Sequence, residues 1–347
     1  MKVSRWVMLA AVGVLAIGLA AGGALIKSDS GSAAAKATFK AALISDIGSF
    51  NDKSFNESQL DGLKRAKTAL GVDIVPLESK STAQYAPNFN KAVRGKSNLV
   101  IAAGFLLAKT TATYAKKFPD IKFAITDYGA GVPPLGDKNF KPLYKNVEGL
   151  TYAANEGGCL VGVLAAKMAA KAGKKIIGAV GGIKIPPVDI WIAGYRYCAR
   201  KAVPGTKVLI NYSQDFNAID KCKTQAENLI GRGAQVLFQV AGLCGQGTLK
   251  AADEAGIWGI GVDKDQYKDA KRVLTSGVKR VDNGVYQAVQ QAEAGKFKGG
   301  SDLLFNLKNK GMGVGRINPA VPAAYKALMN SYKAKIIKGT LKVPAAL

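Results

Sequence analysis

Eight short apolar runs alternate along the chain with segments of helical length, and this alternation restricts the possible folds more than any other feature. The runs read KAALISD, VDIVPLES, NLVIAAG, IKFAITDY, KKIIGAVGG, TKVLINYS, AQVLFQVAG and WGIGVDK. In the segments between them, apolar residues recur at spacings of three and four, as at Leu60, Leu63, Ala66 and Leu70 before Gly71. Continuous apolar strands that alternate with helices are typical of a parallel sheet covered on both faces.

The runs fall into two groups along the chain. Four precede about residue 130, and four more lie between about residues 174 and 264. With 347 residues, of which 48% are hydrophobic, the chain is long and apolar enough to bury two cores of ordinary size. We therefore predict an α/β fold with two doubly wound parallel-sheet lobes.

Polar residues and one glycine follow several of these runs at their carboxyl ends. They are Ser45, Asp46, Asp127, Ser213, Gly242 and Asp263. Open α/β sheets bind ligands outside the carboxyl ends of their strands. If two such lobes face each other, these residues line one cleft, and the sequence predicts a ligand site there.

The stretch DIGSFNDKSFNES, which begins at Asp46, places a phenylalanine in a polar loop. Ser54 and Glu57 have the S-x-x-E spacing of a capping box, which predicts the start of a helix. Phe55 then lies in the first helical turn, at the mouth of the sheet. Two interpretations of its ring stay open: a plug that packs inward, and a stacking platform for a planar ligand.

The chain has a formal charge of +25 and contains no histidine. Lysine is spread along the whole sequence without a run of five or more, so the charge indicates solubility and attraction to an anionic envelope. Nucleic acid is not an expected partner. The lack of histidine excludes histidine-ligated metals, a histidine general base, and Ser-His or Cys-His nucleophile pairs.

The amino terminus has the pattern of an export segment. Lys2 and Arg5 precede an uncharged apolar stretch, Trp6 to Ile26, and the Ser/Ala-rich KSDSGSAAAKA follows it. Small-x-small cleavage sites end at Ala35 and at Ala37, while the apolar stretch is also long enough to span a bilayer. We expect residues 1–37 to be a signal peptide or a signal anchor with a linker, and the remainder to be exported.

Four cysteines, Cys159, Cys198, Cys222 and Cys244, all lie in the second half of the chain, and none forms a C-x-x-C pair. Their spacing does not match a zinc site, and we expect no metal ligands. An even number of cysteines in an exported chain predicts two disulfides, and three pairings are open. Free buried thiols are the alternative.

The stretch that begins at Asp46 resembles the signature of the basic membrane protein (Bmp) family, the substrate-binding proteins of ABC transporters. Other blocks resemble the family in the same order: NLVIAAGFLLAKTT, DIKFAITDY, NEGGCLVGVLAAKMA, GAVGGIKIPPVDIWIAGY, VLINYSQDF, GAQVLFQVAGLCGQG, GIGVDKDQ, VLTSGVKRVDNGVYQA and KAKIIKGTLKVP. Together they cover nearly everything from about Phe39 to Pro344.

The resemblance implies a type I periplasmic-binding-protein fold, in which two lobes joined by three crossovers close around the ligand by a hinge motion. We expect lobe 1 to comprise residues 38–151 plus about 278–312, and lobe 2 residues 152–277 plus about 313–347. Characterised members bind purine nucleosides for ABC transporter permease subunits. The resemblance therefore implies a monomeric receptor that is not an enzyme and needs no cofactor. It places the protein in the periplasm or at the extracytoplasmic face of the membrane. Whether the N-terminus associates with the membrane stays open.

Residue roles carry over where the family motifs match. Two aromatic side chains sandwich the base in the family, and the matching positions are Phe55 and Trp191; helix packing is the alternative for Trp191. In the family, acidic and amide side chains form hydrogen bonds with the edge of the base. Asp46 matches such a position, and Asn56 and Asp127 are further candidates. Turn formation and helix capping are the alternatives for these three.

The ribose-binding positions of the family match Asp263, Lys279 and Gly242. A carboxylate can bridge two vicinal hydroxyls, lysine donates to sugar oxygens, and a side chain at the glycine would block the sugar from the backbone. A surface ion pair is the alternative for Asp263 and Lys279.

The sequence departs from the family pattern at three features. Asn51 stands where aspartate is frequent, the four cysteines are not family features, and no cysteine follows the apolar segment for lipid attachment. Since Cys244 lies two residues after Gly242, a disulfide there would reshape the loop beside the sugar.

Two other functions stay open. A ligand sensor that signals to a membrane partner would have the same fold and site. A nucleoside-processing hydrolase would need an aspartate cluster for Ca²⁺, whereas VDKD is the only D-x-D stretch of the sequence.

Overall fold

The structure is a computed structural model, and it describes residues 38–347. These residues form one compact unit that contains two complete β-sheets and all four cysteines. This unit therefore holds the cores and cross-links that it needs to fold independently. The predictions for residues 1–37 lie outside the described residues. None of the helices described is at once long enough and apolar enough to cross a membrane.

Twelve strands and nine α-helices make up the described chain. The strands are β1 (Lys40–Ile47), β2 (Asp73–Ser79), β3 (Leu99–Ala103), β4 (Lys122–Thr126), β5 (Val147–Tyr152), β6 (Ile176–Gly181), β7 (Lys207–Tyr212), β8 (Val236–Val240), β9 (Trp258–Asp263), β10 (Val273–Lys279), β11 (Ser301–Phe305) and β12 (Met312–Val314). The helices are α1 (Phe55–Leu70), α2 (Tyr85–Arg94), α3 (Ala108–Lys117), α4 (Ala154–Lys171), α5 (Pro186–Ala202), α6 (Ile219–Gly231), α7 (Gly245–Glu254), α8 (Val281–Glu293) and α9 (Ala323–Ile337).

The strands form two six-stranded sheets. The sheet of lobe 1 has the order β11-β5-β4-β3-β1-β2 and is parallel throughout. The sheet of lobe 2 has the order β12-β10-β9-β8-β6-β7, and only its edge strand β12 is antiparallel. This arrangement confirms the predicted α/β class with two doubly wound lobes.

The chain passes between the lobes three times. After β5 it enters lobe 2, where α4 packs against α5, and after β10 it returns as α8 packs against α1. It then adds β11 beside β5 and ends in lobe 2 with β12 beside β10. The three crossovers of the type I fold are thus confirmed. The predicted residue limits of the lobes stay a prediction.

Helices cover both faces of each sheet because alternate strand residues are apolar on both sides. In β1, Ala41 and Leu43 contribute to one hydrophobic cluster, while Ala42 and Ile44 contribute to a second one that also holds Phe89 of α2. Two-sided burial explains why the strands read as continuous apolar runs.

All eight apolar runs form strands, but four further strands, β5, β10, β11 and β12, escaped the sequence analysis. Glu148 interrupts β5, and β10 carries Thr275, Ser276 and Lys279. β11 and β12 are short edge strands. The polar residues of β5, β10 and β11 and the three-residue length of β12 leave none of them as a continuous apolar run.

Candidate functional site

A cavity lies where the carboxyl ends of the two sheets face each other. Lobe 1 contributes residues at or after the ends of β1, β3 and β4. Lobe 2 contributes residues after β7, residues at or after the ends of β8, β9 and β10, and the first half of α5. All eight side chains or glycines predicted from the sequence line this one cavity: Asp46, Phe55, Asn56, Asp127, Trp191, Gly242, Asp263 and Lys279. The structure therefore brings these eight together. Ser45 and Ser213, which the strand ends also predicted, are not among the residues that line the cavity, because their hydroxyls donate to the nearby backbone carbonyls of Gly48 and Asp215.

The loop after β1 is organised by Asp52. One oxygen of its carboxylate accepts hydrogen bonds from the backbone N–H groups of Ser54 and Glu57, at 2.9 and 3.0 Å, and the other accepts from the N–H of Asn56 at 2.9 Å. The helix begins at Phe55 as predicted, but the capping box is wrong, because Ser54 makes no side-chain cap. Asp52 satisfies the free N–H groups of the first turn instead.

Ser54 is free to contact lobe 2 because it does not cap the helix. Its hydroxyl donates to Asp263 Oδ2 at 2.9 Å. Two further contacts join the same parts of the lobes: Lys264 Nζ lies 2.6 Å from Glu57 and 2.8 Å from Asp61. The loop after β1 and the end of β9 are thus linked on one side of the cavity.

Lys279 lies at the centre of the charged part of the cavity. Its ammonium is 2.7 Å from Asp127 Oδ2 and 3.6 Å from Asp263 Oδ1, and only 3% of the residue is exposed. Burial disfavours the ammonium, but Asp127 and Asp263 outweigh it and raise the pKa of Lys279. The alternative of a surface ion pair is therefore wrong.

Asp127 and Asp263 reach Lys279 through the same backbone conformation. Each lies at the carboxyl end of a strand, β4 or β9, and each has a left-handed φ, +60° and +64°. Aspartate tolerates this region better than most residues, although the conformation still costs free energy. Strain at two matching positions around one lysine is typical of a functional site.

Phe55 stands beside this charged group. It is half-buried, and Lys279 Nζ lies 4.7 Å from the centroid of its ring. An ammonium near an aromatic ring is attracted to the negative face of the ring. The cavity therefore places an apolar ring next to a cluster of hydrogen-bonding charges.

Asp46 is held at the end of β1 by two donors. The Tyr85 hydroxyl and the backbone N–H of Ile47, at 2.6 Å, both donate to Asp46 Oδ1. Burial raises the pKa of Asp46 to about 6. A Cβ at Gly104, whose φ is +138°, would lie 2.5 Å from Asp46 Oδ2, so a residue with a side chain would displace this carboxylate.

Two buried oxygen atoms, on residues that line the cavity, have no hydrogen-bond partner within residues 38–347. They are Asn56 Oδ1 and Asp263 Oδ1. An unpaired buried acceptor costs free energy, and a ligand that donates hydrogen bonds at both places removes that cost. The cavity is therefore suited to a ligand with donors such as hydroxyl or N–H groups.

Trp191 lines the cavity but belongs mainly to the core of lobe 2. It is 1% exposed and packs edge-on against Phe238, with 5.9 Å between ring centroids. A Cβ at Gly157 of α4 or Gly277 of β10 would lie 2.7 Å from its ring. The ring is held between these elements, as the helix-packing interpretation predicts.

Sequence analysis missed Phe216, Asn217, Phe105 and Asp52 among the residues that line the cavity. Phe216 is half-buried and follows β7 in the stretch NYSQDFN. A phenylalanine in a polar loop after a strand is the same signal that identifies Phe55. That signal, applied to every strand end, would have identified Phe216.

Two disulfides are present, which confirms the prediction from the cysteine count. Cys159 bonds to Cys198 and ties α4 to α5, and Cys222 bonds to Cys244 and ties α6 to the turn at residues 242–244. The backbone N–H of Cys244 donates to the carbonyl of Phe216 at 2.9 Å. The second disulfide therefore braces the two loops of lobe 2 that line the cavity.

Within residues 38–347, no cluster of three or more histidine, cysteine, aspartate or glutamate residues could hold a metal ion. The charged groups of the cavity are instead arranged around Lys279.

Comparisons with known proteins extend over the whole described chain. The model of the Bmp family, described as ABC transporter substrate-binding protein PnrA-like, matches residues 39–346. A relative from Lactococcus lactis subsp. cremoris, the ABC transporter nucleoside-binding protein BmpA, is 32% identical over 98% of this chain and 99% of its own. The CD4+ T-cell-stimulating antigen of Listeria monocytogenes is 32% identical over 88% of each chain.

A solved structure is similar as well. It is an ABC transporter system solute-binding protein from Aeropyrum pernix K1, with a TM-score of 0.78 and 26% identity over 88% of this chain and 94% of that chain. The similarity therefore covers most of the chain and supports the same two-lobed α/β fold.

Proposed function

The chain belongs to the Bmp family of PnrA-like ABC transporter substrate-binding proteins, and from this premise we propose that it captures a purine nucleoside between its lobes for import. A relative named as a nucleoside-binding protein supports this ligand class. The family is defined by substrate binding and not by catalysis. One observation carries the proposal: Phe55 and the buried group of Lys279, Asp127 and Asp263 lie side by side in one cavity.

The base is proposed to stack on Phe55. A flat aromatic face binds a planar ring of any substitution pattern, while Asp46 and Asn56 are available to accept hydrogen bonds at the edge of the base. For the second face, Trp191 and Phe216 are both candidates on the lobe 2 side of the cavity. The greater exposure of Phe216 favours it over Trp191, whose ring is enclosed by its own lobe.

The ribose is proposed to lie against Asp263, Lys279 and Gly242. Asp263 Oδ1, which accepts no hydrogen bond and lies 3.6 Å from the Lys279 ammonium, is suited to accept from a sugar hydroxyl, and Lys279 is suited to donate to a sugar oxygen. Gly242 has a φ of +56°, and it offers its backbone to the sugar without a side chain. Asp127 holds Lys279 in position from lobe 1.

Ligand capture is proposed to proceed by hinge closure between the lobes. The contacts from Ser54 to Asp263 and from Lys264 to Glu57 and Asp61 join the lobes beside the cavity. Such contacts stabilise the closed arrangement, and a ligand that touches both lobes adds to them.

Delivery of the ligand is proposed to occur outside the cytoplasm. The export pattern of residues 1–37 and the membership of an ABC transporter family support a monomeric receptor at the extracytoplasmic face of the membrane. The permease subunits to which it hands the nucleoside are on other chains.

A thermal-shift screen of residues 38–347 tests the proposal. Purine nucleosides, pyrimidine nucleosides, free bases, ribose, flavins and amino acids are added separately, because a ligand that binds only the folded state raises the melting temperature. We expect a shift with purine nucleosides and none with the base or ribose alone. A shift with another solute class and none with nucleosides would overturn the proposed ligand.

A further inference from the structure

Lobe 1 carries several exposed apolar side chains that do not line the cavity. Val132, Phe140, Leu143 and Leu304 are 38%, 69%, 56% and 54% exposed. They account for four of the seven large hydrophobic residues that are exposed within residues 38–347. Three come from the loop between β4 and β5, and Leu304 comes from the edge strand β11. We call these four residues the edge patch.

Contacts within lobe 1 place Val132 beside β11 and the backbone of Phe140 beside Gly131. A Cβ built at Gly129 would lie 3.2 Å from the Val132 side chain and 3.1 Å from the carboxylate of Asp302. Leu304 lies two residues further along β11, so its side chain is on the same face as Asp302. The N–H of Leu143 donates to the carbonyl of Leu135 at 2.9 Å, and this bond connects the two ends of the segment that carries Phe140.

The loop is built to hold Phe140 outward. Asp137 accepts from the N–H of Asn139 at 2.8 Å and of Lys141 at 2.9 Å, and its own N–H donates to the carbonyl of Lys141 at 2.9 Å. Within this closed turn, Phe140 adopts a φ of +59°, which a bulky residue rarely does. Backbone strain that exposes the largest apolar side chain of the turn indicates a function rather than packing.

Three lysines flank Phe140 in the sequence. Lys138, Lys141 and Lys145 are exposed, and none has a carboxylate group within 4 Å in the part of the chain that the structure describes. Apolar and aromatic side chains flanked by unpaired lysines suit an anionic lipid surface, where the ring enters the headgroup region and the lysines meet the lipid phosphates.

From the strained Phe140, the exposed Leu143 and the three unpaired lysines, we propose that the edge patch docks lobe 1 on an anionic membrane surface. Charge complementarity favours lipid over a second copy of this chain, since a second copy would bring another cluster of lysines to the same place. This inference does not depend on the identity of the transported ligand.

Co-sedimentation with vesicles tests the docking surface on residues 38–347, which contain both sheets, their cores and both disulfides. The protein is mixed with vesicles of phosphatidylglycerol and phosphatidylcholine, and separately with phosphatidylcholine alone. We expect binding to the anionic vesicles only, weakened by added salt because exposed charges are screened. Phe140→Ala with Leu143→Ala should lower the partition coefficient at least ~10-fold. Loss of Lys138, Lys141 and Lys145 charges should lower it on the order of 100-fold, at about five-fold per lysine.

Matched variants separate local docking from general charge attraction. The test variant carries Lys138→Glu, Lys141→Glu and Lys145→Glu. The control variant carries Lys109→Glu, Lys116→Glu and Lys171→Glu, which change the net charge by the same amount but lie on α3 and α4. We expect the α3 and α4 variant to bind vesicles nearly as wild type does. Equal loss in both variants, or wild-type binding after removal of Phe140 and Leu143, would overturn the proposal. So would a dimer in sedimentation velocity that the Phe140 and Leu143 variant abolishes, because the edge patch would then join two copies.

Discussion

The ammonium of Lys279 and the carboxylate of Asp127, 2.7 Å apart, form an ion pair that joins the two sheets. Lys279 ends β10 of lobe 2, whereas Asp127 follows β4 of lobe 1. Both partners are largely withdrawn from water, with 4% and 10% of their side chains exposed. The pair is therefore part of the contact between the lobes and part of the cavity at once.

Removal of the lysine should destabilise the protein and abolish ligand binding. Lys279→Met leaves Asp127 and Asp263 buried without a cation, and we expect the free energy of unfolding to fall by about 3–5 kcal/mol. Addition of Asp127→Asn should recover part of the stability but none of the nucleoside binding. Urea denaturation and titration calorimetry measure the two properties. Equal stability of wild type and Lys279→Met would contradict a buried pair.

The stacking face should be sensitive to truncation. Phe55→Ala should weaken purine nucleoside binding by about 1–3 kcal/mol, because each base–aromatic contact contributes roughly this amount. Phe140→Ala, which removes an exposed ring outside the cavity, is the matched control and should bind as wild type does. Wild-type affinity in Phe55→Ala, measured by calorimetry, would remove Phe55 from the site.

The second aromatic face can be assigned by two substitutions that have opposite signatures. Phe216→Ala should weaken nucleoside binding with little change in stability. Trp191→Phe should bind nearly as wild type does but lower the free energy of unfolding by roughly 1–3 kcal/mol, because it shrinks a buried ring. The reverse pattern of affinity and stability would assign the stacking face to Trp191.

The two disulfides should differ in function but not in stability. They span 39 and 22 residues, so loop closure predicts a similar stabilisation of about 3–4 kcal/mol from each. Only replacement of Cys222 and Cys244 by alanine should weaken nucleoside binding, because only that bond holds the turn beside Phe216 and Gly242. The Cys159 and Cys198 variant is the control, and equal affinity loss in both would contradict this role.

Glu148 should make stability depend on pH. Both of its oxygens are buried without a hydrogen-bond partner among residues 38–347, and burial raises its pKa from 4.5 to about 7. Since the folded state holds the proton more tightly than the unfolded state, stability should fall as pH rises from 4.5 to 7, by at most ~3.4 kcal/mol.

Urea denaturation of Glu148→Gln checks this dependence. The variant keeps the shape of the protonated side chain, so it should be more stable than wild type above pH 7 and similar to it below pH 4.5. Glu293→Gln, at an exposed position of α8, is the control and should follow the wild-type profile. A wild-type profile in Glu148→Gln would show that this carboxyl does not cause the change.

The sequence by itself was sufficient for the α/β class, the two lobes and the set of strand ends that line the cavity. These features follow from local patterns, because a strand buried on both faces must be apolar along its whole length, as in β1 and β3. Asp46, Asp127, Gly242 and Asp263 converge because the carboxyl ends of parallel strands share one edge of a sheet. Trp191 within α5 and Lys279 at the end of β10 were matched only through the family resemblance. The helix start at Phe55 was also readable, although its capping residue was not.

Only the tertiary structure decided which groups meet. Asp52 caps α1 because the loop folds back on the first turn, which the S-x-x-E spacing does not reveal. The pairing of Lys279 with Asp127 joins residues 152 positions apart, and the disulfide partners were one choice among three. The depth at which Trp191 lies depends on glycines of α4 and β10. Contacts between distant segments are set by how the sheets pack, and no local pattern of residues carries that information.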